Sequence, residues 1–346
     1  MRQLRLSIVG FGTVGRWLAA AIVRRRAWLE AACGVELSVV GVATRRDGFL
    51  YREEGFDIAA LLGRAAAGRP LADHGGARRW ETALEGLAAT DSDVLAEASN
   101  TNPRRAEPAL AHIRLALDRR MHVITSSKGA CAAAAVDLAA LARRRGVQFR
   151  MESTVMSGTP VLSTLQEGLA GARVVALRGI LNGTANHILT RMAEDLDYPA
   201  ALADAQARGY AEPDSSDDVE GHDVVAKARI LAAVAFSRTV TLDQVVCLGI
   251  GGITSDTVQQ AVREGRRLKL VASVRSLPEA FEVRVEPVAL PLADPLSRVD
   301  GVMNALAIET DTAREITIVG PGAGPEQAGQ GMFADLVSVV RASGHP

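Results

Sequence analysis

The residues best suited to moving a proton lie between Leu181 and Lys227. The stretch opens as Leu181-Asn182-Gly183-Thr184 and closes with Glu212, Asp218 and Asp223 ahead of its single lysine, Lys227. Asp223 and Lys227 are four residues apart, so a helix entered through Gly221 and His222 puts both on one face, within reach of each other. The apolar run from Ala228 to Phe236 carries such a helix into a core. A lysine at the edge of a core loses hydration, which lowers its pKa, while a neighbouring carboxylate raises it. The balance tunes a proton for transfer. The same spacing also describes an acidic, solvated loop capping a helix whose lysine makes an ordinary surface pair.

A second constellation lies at the N-terminus. The strand-like Leu4 to Val9 runs into Gly10-Phe11-Gly12-Thr13-Val14-Gly15, and an apolar-periodic helix follows through Trp17, Leu18, Ala21 and Ile22. In a strand–turn–helix setting this glycine pattern is a dinucleotide fingerprint. The first glycine allows the tight turn, the second lets a pyrophosphate approach the backbone, and the third lets helix and strand pack closely. Free N–H groups at the helix start then face the phosphates. Glu36 to Ala43 reads as the next parallel strand and ends at Thr44-Arg45-Arg46, where NAD-selective sites place an acidic residue. Arginine there suits a 2′-phosphate, so the expected cofactor is NADP, with NAD as the alternative.

The remaining elements position these groups. Asp93 to Ala98 is a buried strand ending in the polar turn Ser99-Asn100-Thr101-Asn102-Pro103. In a doubly wound sheet strand C-termini face the ligand crevice, so Ser99 and Asn100 are candidate cofactor contacts as well as ordinary helix caps. His122 to Thr125 is a further strand, ending at Ser126-Ser127-Lys128-Gly129, which places Lys128 at a crevice end. Val147 to Met151 is a last short strand, and a loop of small residues follows from Glu152 to Pro160. An antiparallel sheet is expected from Arg173 onward, with strands at 173–180, 239–246, 249–253, 268–274, 281–287, 301–310 and 316–319. The glycine turn Gly320-Pro321-Gly322-Ala323-Gly324 leads into a final helix from Gln327 to Arg341 that could return to the first domain. The excursion from Phe49 to Arg79 carries only a weak helical signal at Ile58 to Leu62.

Composition narrows the class. The 346 residues are enough for two domains with cores of their own. With 39 basic and 40 acidic side chains, the net charge of −1 gives no electrostatic case for nucleic acid or an anionic membrane. No run reaches the ~18 apolar residues of a membrane span, and the start lacks the features of a signal peptide. Cys33, Cys131 and Cys247 lie far apart in apolar contexts without metal spacing, as reduced thiols of a cytoplasmic protein do.

Taken together, the glycine turn at 10–15, Lys128-Gly129, the 152–160 loop, Gly179 to Thr184, Gly209 to Asp214, Asp218 through Lys227 and the turn at 320–324 resemble homoserine dehydrogenase nearly end to end. The chain looks like the short form of that family, without a regulatory domain. The resemblance implies an α/β fold: a Rossmann-type doubly wound parallel sheet in residues 1–150, completed by a C-terminal helix in 321–346. An α+β domain in 151–320 would bind substrate, catalyse and dimerise. It implies reversible hydride transfer between aspartate 4-semialdehyde and L-homoserine, on the route to threonine, isoleucine and methionine. Lys227 is then the proton donor, with Lys128 as the second active-site lysine, near nicotinamide and substrate. Glu212 and Asp223 hold the substrate's amino group, Asp218 orients Lys227, and Gly183 and Thr184 lie beside the substrate. Gly322 joins the cofactor contacts. Glu152, Val155, Ser157 and Thr159 match a monovalent-cation site, for sodium, built largely from main-chain oxygens. The chain departs from the family at Ser126-Ser127, where Ala-Asn is usual, and at Met156-Ser157, where small residues are usual.

Two other readings use the same residues. A phosphorylating semialdehyde dehydrogenase needs a cysteine nucleophile beside a base, and Cys131 has no evident histidine partner. A non-catalytic dinucleotide sensor has no need of Lys227.

Overall fold

The computed structural model describes residues 2–73, 76–99 and 105–343. The chain divides into two units, Met1–Gly158 with Pro325–Pro346, and Thr159–Gly324. Residues 151–158, expected with the second domain, group with the first, where the Glu152 N–H donates to the Asp335 carboxylate at 2.8 Å and Ser153 Oγ to the Ala328 carbonyl at 2.9 Å.

The first unit runs β1 (Arg2–Val9), α1 (Thr13–Arg24), α2 (Arg26–Cys33), β2 (Val35–Thr44), β3 (Gly48–Tyr51), α3 (Ile58–Ala66), β4 (Arg78–Trp80), α4 (Ala83–Ala89), β5 (Val94–Glu97), α5 (Ala109–Asp118), β6 (His122–Thr125), α6 (Lys128–Arg145) and β7 (Phe149–Arg150). The sheet order is β4-β3-β2-β1-β5-β6-β7. From β2 to β7 the pairings are parallel, and β3 and β4 add an antiparallel edge. Strand order reverses at β1 and β5, so the turns after them, at Gly10 and Ser99, flank the switch point where such sheets bind ligands. The antiparallel edge lies at the two ends of the 49–79 excursion, and the helical signal at Ile58 to Leu62 falls in α3. Short β3 is buried along its whole length, and Phe49 packs edge-on to Trp80. Helix α2 follows α1 almost directly, after Arg25, and closes on Gly34 at φ +65°.

The second unit contains β8 (Val174–Ile180), α7 (Gly183–Ala193), α8 (Tyr198–Ala207), α9 (Ser216–Val219), α10 (His222–Phe236), β9 (Val245–Cys247), α11 (Ser255–Arg263), β10 (Arg266–Ser276), β11 (Phe281–Pro291), β12 (Met303–Thr310) and β13 (Arg314–Pro321). Its sheet has the order β13-β12-β8-β10-β11-β9, antiparallel throughout except between β11 and β9. Helices α7, α10 and α11 pack on β10.

The strands expected at 239–246 and 249–253 shrink to the three residues of β9. Thr241 and Gln244 cap a turn instead, and at Gly249 the backbone presses against α9, so that a Cβ would fall 2.4 Å from the Val219 carbonyl oxygen.

The last helix, α12 (Pro325–Ser343), belongs to the first unit. Its Met332, Phe333, Leu336 and Val340 share a core with Leu18 and Ile22 of α1. Gly329 permits the approach of Trp17, since a Cβ there would lie 2.4 Å from the indole.

Candidate active site

The site builds from two backbone turns in the second unit. β8 ends at Ile180, and Leu181 and Asn182 lead into α7. Asn182 caps that helix: its Oδ1 accepts from the Ala185 N–H at 2.8 Å, the role asparagine takes at an N-cap. Further along, α9 ends at Val219, and Gly221, left-handed at φ +81°, is the N-cap from which α10 begins. Asp223 then falls in the first turn of α10, where the helix dipole favours a carboxylate, and Lys227 lies one turn on.

Lys227 and Asp223 face each other. Lys227 Nζ stands 2.7 Å from Asp223 Oδ2 and donates to the Leu181 carbonyl at 2.5 Å. Each residue is only 6% exposed, so the pair sits out of bulk water. The Asn182 amide donates to Asp218 at 2.7 Å and to Asp223 at 3.1 Å, joining the two carboxylates. Asp218 therefore meets Asn182 by hydrogen bond, and Asp223 is the carboxylate against the lysine. Burial pushes the Asp218 carboxyl above the ordinary aspartate range. The charge of Asp223 adds to this, while Asn182, Lys227 and Thr184 oppose it. Thr184 Oγ1 donates to the Tyr210 carbonyl at 2.7 Å, tying α7 to the Gly209–Asp214 segment, on which Glu212 is exposed. With Asp218 and Asp223 ionised beside one ammonium, these three side chains leave one negative charge for a cationic group to meet.

The sequence marks Asn182 within the stretch but gives neither it nor the Leu181 carbonyl a role, although an asparagine just ahead of a helical pattern is an N-cap signal.

In the first unit the glycine turn has the shape a dinucleotide requires. A Cβ on Gly10 would fall 2.3 Å from the Ala98 carbonyl carbon, and one on Gly15 would fall 2.1 Å from the Gly10 oxygen. A Cβ on Gly12 would meet nothing within 4 Å. Gly10 and Gly15 are thus packing glycines, and Gly12 opens a cradle at the start of α1, where no side chain caps the helix. Phe11 is buried, Val14 is half-buried against the core, and Thr13 is exposed.

Ser99, beside Gly10, is held by the fully buried Glu97. Glu97 Oε1 accepts from the Ser99 N–H at 3.0 Å and from its hydroxyl, and Oε2 meets His112 Nδ1 at 2.9 Å. Asn100 lies outside the described residues. Lys128 is the first residue of α6 and half-buried. The preceding Ser127 hydroxyl is buried with no hydrogen-bond partner among the described residues.

Arg45 is exposed in the turn after β2. Arg46 instead donates to the Gly68 carbonyl at 3.1 Å and lies 3.8 Å from Asp47. The acid of this turn, Asp47, is 3% exposed, with its oxygens engaged by Thr44 Oγ1 and the Leu71 N–H.

The 152–158 loop is buried at Glu152, Val155 and Ser157, and Met156 and Ser157 are left-handed at φ +55° and +54°. Glycine would adopt that backbone at less cost. The Glu152 carbonyl accepts from the Val155 N–H at 3.3 Å. In the second unit, Thr159 donates to the Pro321 carbonyl at 3.0 Å, and Gly322 makes room for the buried Asn304 side chain, whose Nδ2 would lie 2.0 Å from a Cβ there. Among the described residues no group of three or more His, Cys, Asp or Glu side chains could hold a metal. Cys131 is fully buried, and burial pushes its thiol far above the ordinary range, which removes it as a thiolate nucleophile.

Two family models match the chain: "Homoserine dehydrogenase, NAD binding domain" over residues 10–152 and "Homoserine dehydrogenase" over residues 160–337. The chain is 36% identical over 342 residues to an NAD(+)-dependent homoserine dehydrogenase of Pseudomonas canavaninivorans, covering 98% of this chain and 97% of that one. It is 32% identical to a homoserine dehydrogenase of Methanocaldococcus jannaschii, over 97% of this chain and 98% of that one. Among solved structures, a putative homoserine dehydrogenase of Archaeoglobus fulgidus superposes with a TM-score of 0.86 at 35% identity, covering 97% of this chain and 99% of that one. A hyperthermophilic archaeal homoserine dehydrogenase in complex with NADPH gives 0.82 at 28% identity, over 99% of both chains. The chain belongs to the homoserine dehydrogenase family.

Proposed function

We propose that Lys227 carries the proton in the family's reaction, the NAD(P)-dependent interconversion of L-homoserine and aspartate 4-semialdehyde. One observation supports this most: Lys227 is 6% exposed, and its ammonium is held between the Asp223 carboxylate and the Leu181 carbonyl. That cage orients the lysine and excludes water, two conditions a general acid needs. When bound, the nicotinamide supplies or accepts the hydride. In aldehyde reduction Lys227 gives its proton to the developing alkoxide; in homoserine oxidation the neutral amine takes the hydroxyl proton. Asp218, Asp223 and Glu212 meet the substrate ammonium through charge-assisted hydrogen bonds, and Gly183 and Thr184 lie along the substrate. Lys128 serves beside nicotinamide and substrate as the second lysine.

The open cradle at Gly12, with Gly10, Phe11, Thr13, Val14 and Gly15 around it, fits a pyrophosphate, and Ser99, Asn100 and Gly322 complete the cofactor contacts. Arg45 favours NADP, because it is exposed where a 2′-phosphate would lie while the acid of the same turn is consumed internally. One relative is named for NAD and one solved structure holds NADPH, and Arg45 is the feature of this chain that supports NADP, with NAD as the alternative. A sodium ion on main-chain oxygens of Glu152, Val155 and Ser157, a homodimer and a cytoplasmic place in threonine, isoleucine and methionine synthesis complete the reading.

The test is direct. Purified chain supplied with L-homoserine and NADP or NAD at alkaline pH reduces the dinucleotide and releases an aldehyde. No homoserine-dependent reduction with either dinucleotide overturns the assignment.

A further inference from the structure

The second unit buries another lysine that no part of the reaction requires. Lys269 of β10 is 1% exposed. Its ammonium donates to the Val299 carbonyl at 2.6 Å, to Asp300 Oδ1 at 2.8 Å and to Asn186 Oδ1 at 3.2 Å, three acceptors for three donors. Asn186 of α7 is equally buried, and its amide donates to the carbonyls of Val299, Gly301 and Met303 at 3.0, 2.9 and 3.1 Å. Thr190 closes the network: its hydroxyl donates to the Asn186 carbonyl at 2.8 Å and accepts from the Gly301 N–H at 3.2 Å.

These bonds tie the 299–303 segment to α7 one turn from the candidate site. Where the segment passes the start of the helix it comes so near that a Cβ on Gly183 would fall 2.8 Å from the Val302 carbonyl oxygen. The Asn186 N–H donates in turn to the Asn182 carbonyl at 3.1 Å. Asn182 holds Asp218 and Asp223 together, so the position of α7 sets the spacing of both carboxylates.

An ammonium so deeply buried is costly, and burial drags it below the ordinary lysine value against the pull of Asp300. An apolar side chain would cover the same ground without that cost, but it would leave the Val299 carbonyl and Asn186 Oδ1 without this donor. What the charge supplies is a fixed geometry.

We propose that Lys269 and Asn186 are positioning residues for the substrate end of the site: they clamp the 299–303 segment onto the first turns of α7 and so fix Asn182 and Gly183. The proposal rests on the reading that Asp218 and Asp223 receive the substrate ammonium. Neither residue reaches the reacting atoms. Their loss loosens substrate binding and leaves proton transfer and cofactor binding nearly intact.

The experiment compares the full chain with Lys269→Met and Asn186→Leu by steady-state kinetics and by hydrogen–deuterium exchange. Both variants are expected to raise the homoserine KM about tenfold, the scale of one misplaced charge-assisted hydrogen bond. The kcat stays within about threefold and the dinucleotide KM within about twofold. Exchange speeds up in residues 299–303 and 183–187 and stays unchanged in 223–231. An unchanged homoserine KM in a folded variant overturns the proposal. So does a joint decline of every constant with faster exchange across the whole unit, which is what a general loss of stability produces. A wild-type chain inactive on homoserine refutes the activity reading instead. Exchange then still decides the clamp: loosening confined to the two segments supports it, and an unchanged pattern overturns it.

Discussion

Replacing Asp223 with leucine tests whether the lysine at the heart of the site is held by charge inside the fold. At 2.7 Å and an effective dielectric near 20, the attraction between the two groups is about 6 kcal/mol before solvation. Desolvating both ions takes back much of this, so the measurable loss on removing one partner of a buried pair is about 3–5 kcal/mol. Lys227→Met alone costs less, about 2–3 kcal/mol, because Asp223 keeps the Asn182 amide at 3.1 Å. The double variant puts two apolar side chains against each other and recovers part of the loss, giving a coupling energy of about 2–3 kcal/mol. The assay is chemical denaturation followed by circular dichroism on the four proteins of the cycle. Additive effects, with each single variant losing less than about 1 kcal/mol, are the signature of a solvated surface pair and would refute the reasoning.

Three further outcomes follow from the same geometry. Asp218 has a raised folded pKa, so its protonated form favours the folded state below the unfolded pKa, and that contribution is lost as pH rises through the raised value. Asp218→Asn should therefore raise Tm at pH 7 by about 2 °C or more and weaken homoserine binding. The Tm gain should shrink as the pH falls toward 3.8, and a variant no more stable at pH 7 contradicts the assignment. Arg45→Ala should reduce kcat/KM for NADP by about tenfold with little change for NAD; equal losses for both would remove the arginine argument. Glu97→Leu strands the donors of Ser99 and His112 and should weaken dinucleotide binding about tenfold, as read by calorimetry. Glu97→Gln can keep both bonds with a change of His112 tautomer, and should stay within about threefold.

The nucleotide-binding half was legible because its signals are local. A strand, three spaced glycines and an apolar-periodic helix stand next to one another at residues 4–22, and β1 and α1 follow that pattern. The β3–β4 edge escaped because its strands are four and three residues long and pair across a long excursion, so no periodicity marks them. In the second unit the run at 249–253 has strand-like composition, but Gly249 is there to let its backbone lie on α9.

The candidate site divides in the same way. The four-residue spacing of Asp223 and Lys227 gave their contact, while the choice between a surface pair and a buried one needed the packing around α10. Lys269 and Asn186 could not have been paired from the sequence. They are 83 residues apart, and a lone lysine in a strand pattern reads as a solvated side chain until the 299–303 segment is seen to cover it.

The central claim is that Lys227 moves the proton, and Lys227→Ala tests it most directly. Homoserine oxidation is measured with the dinucleotide saturating, and binding of the reduced dinucleotide is followed by its fluorescence. Turnover should fall by about a hundredfold or more while dinucleotide affinity stays within about threefold of wild type. A folded variant that binds the dinucleotide normally and still oxidises homoserine at near the wild-type rate would contradict the account.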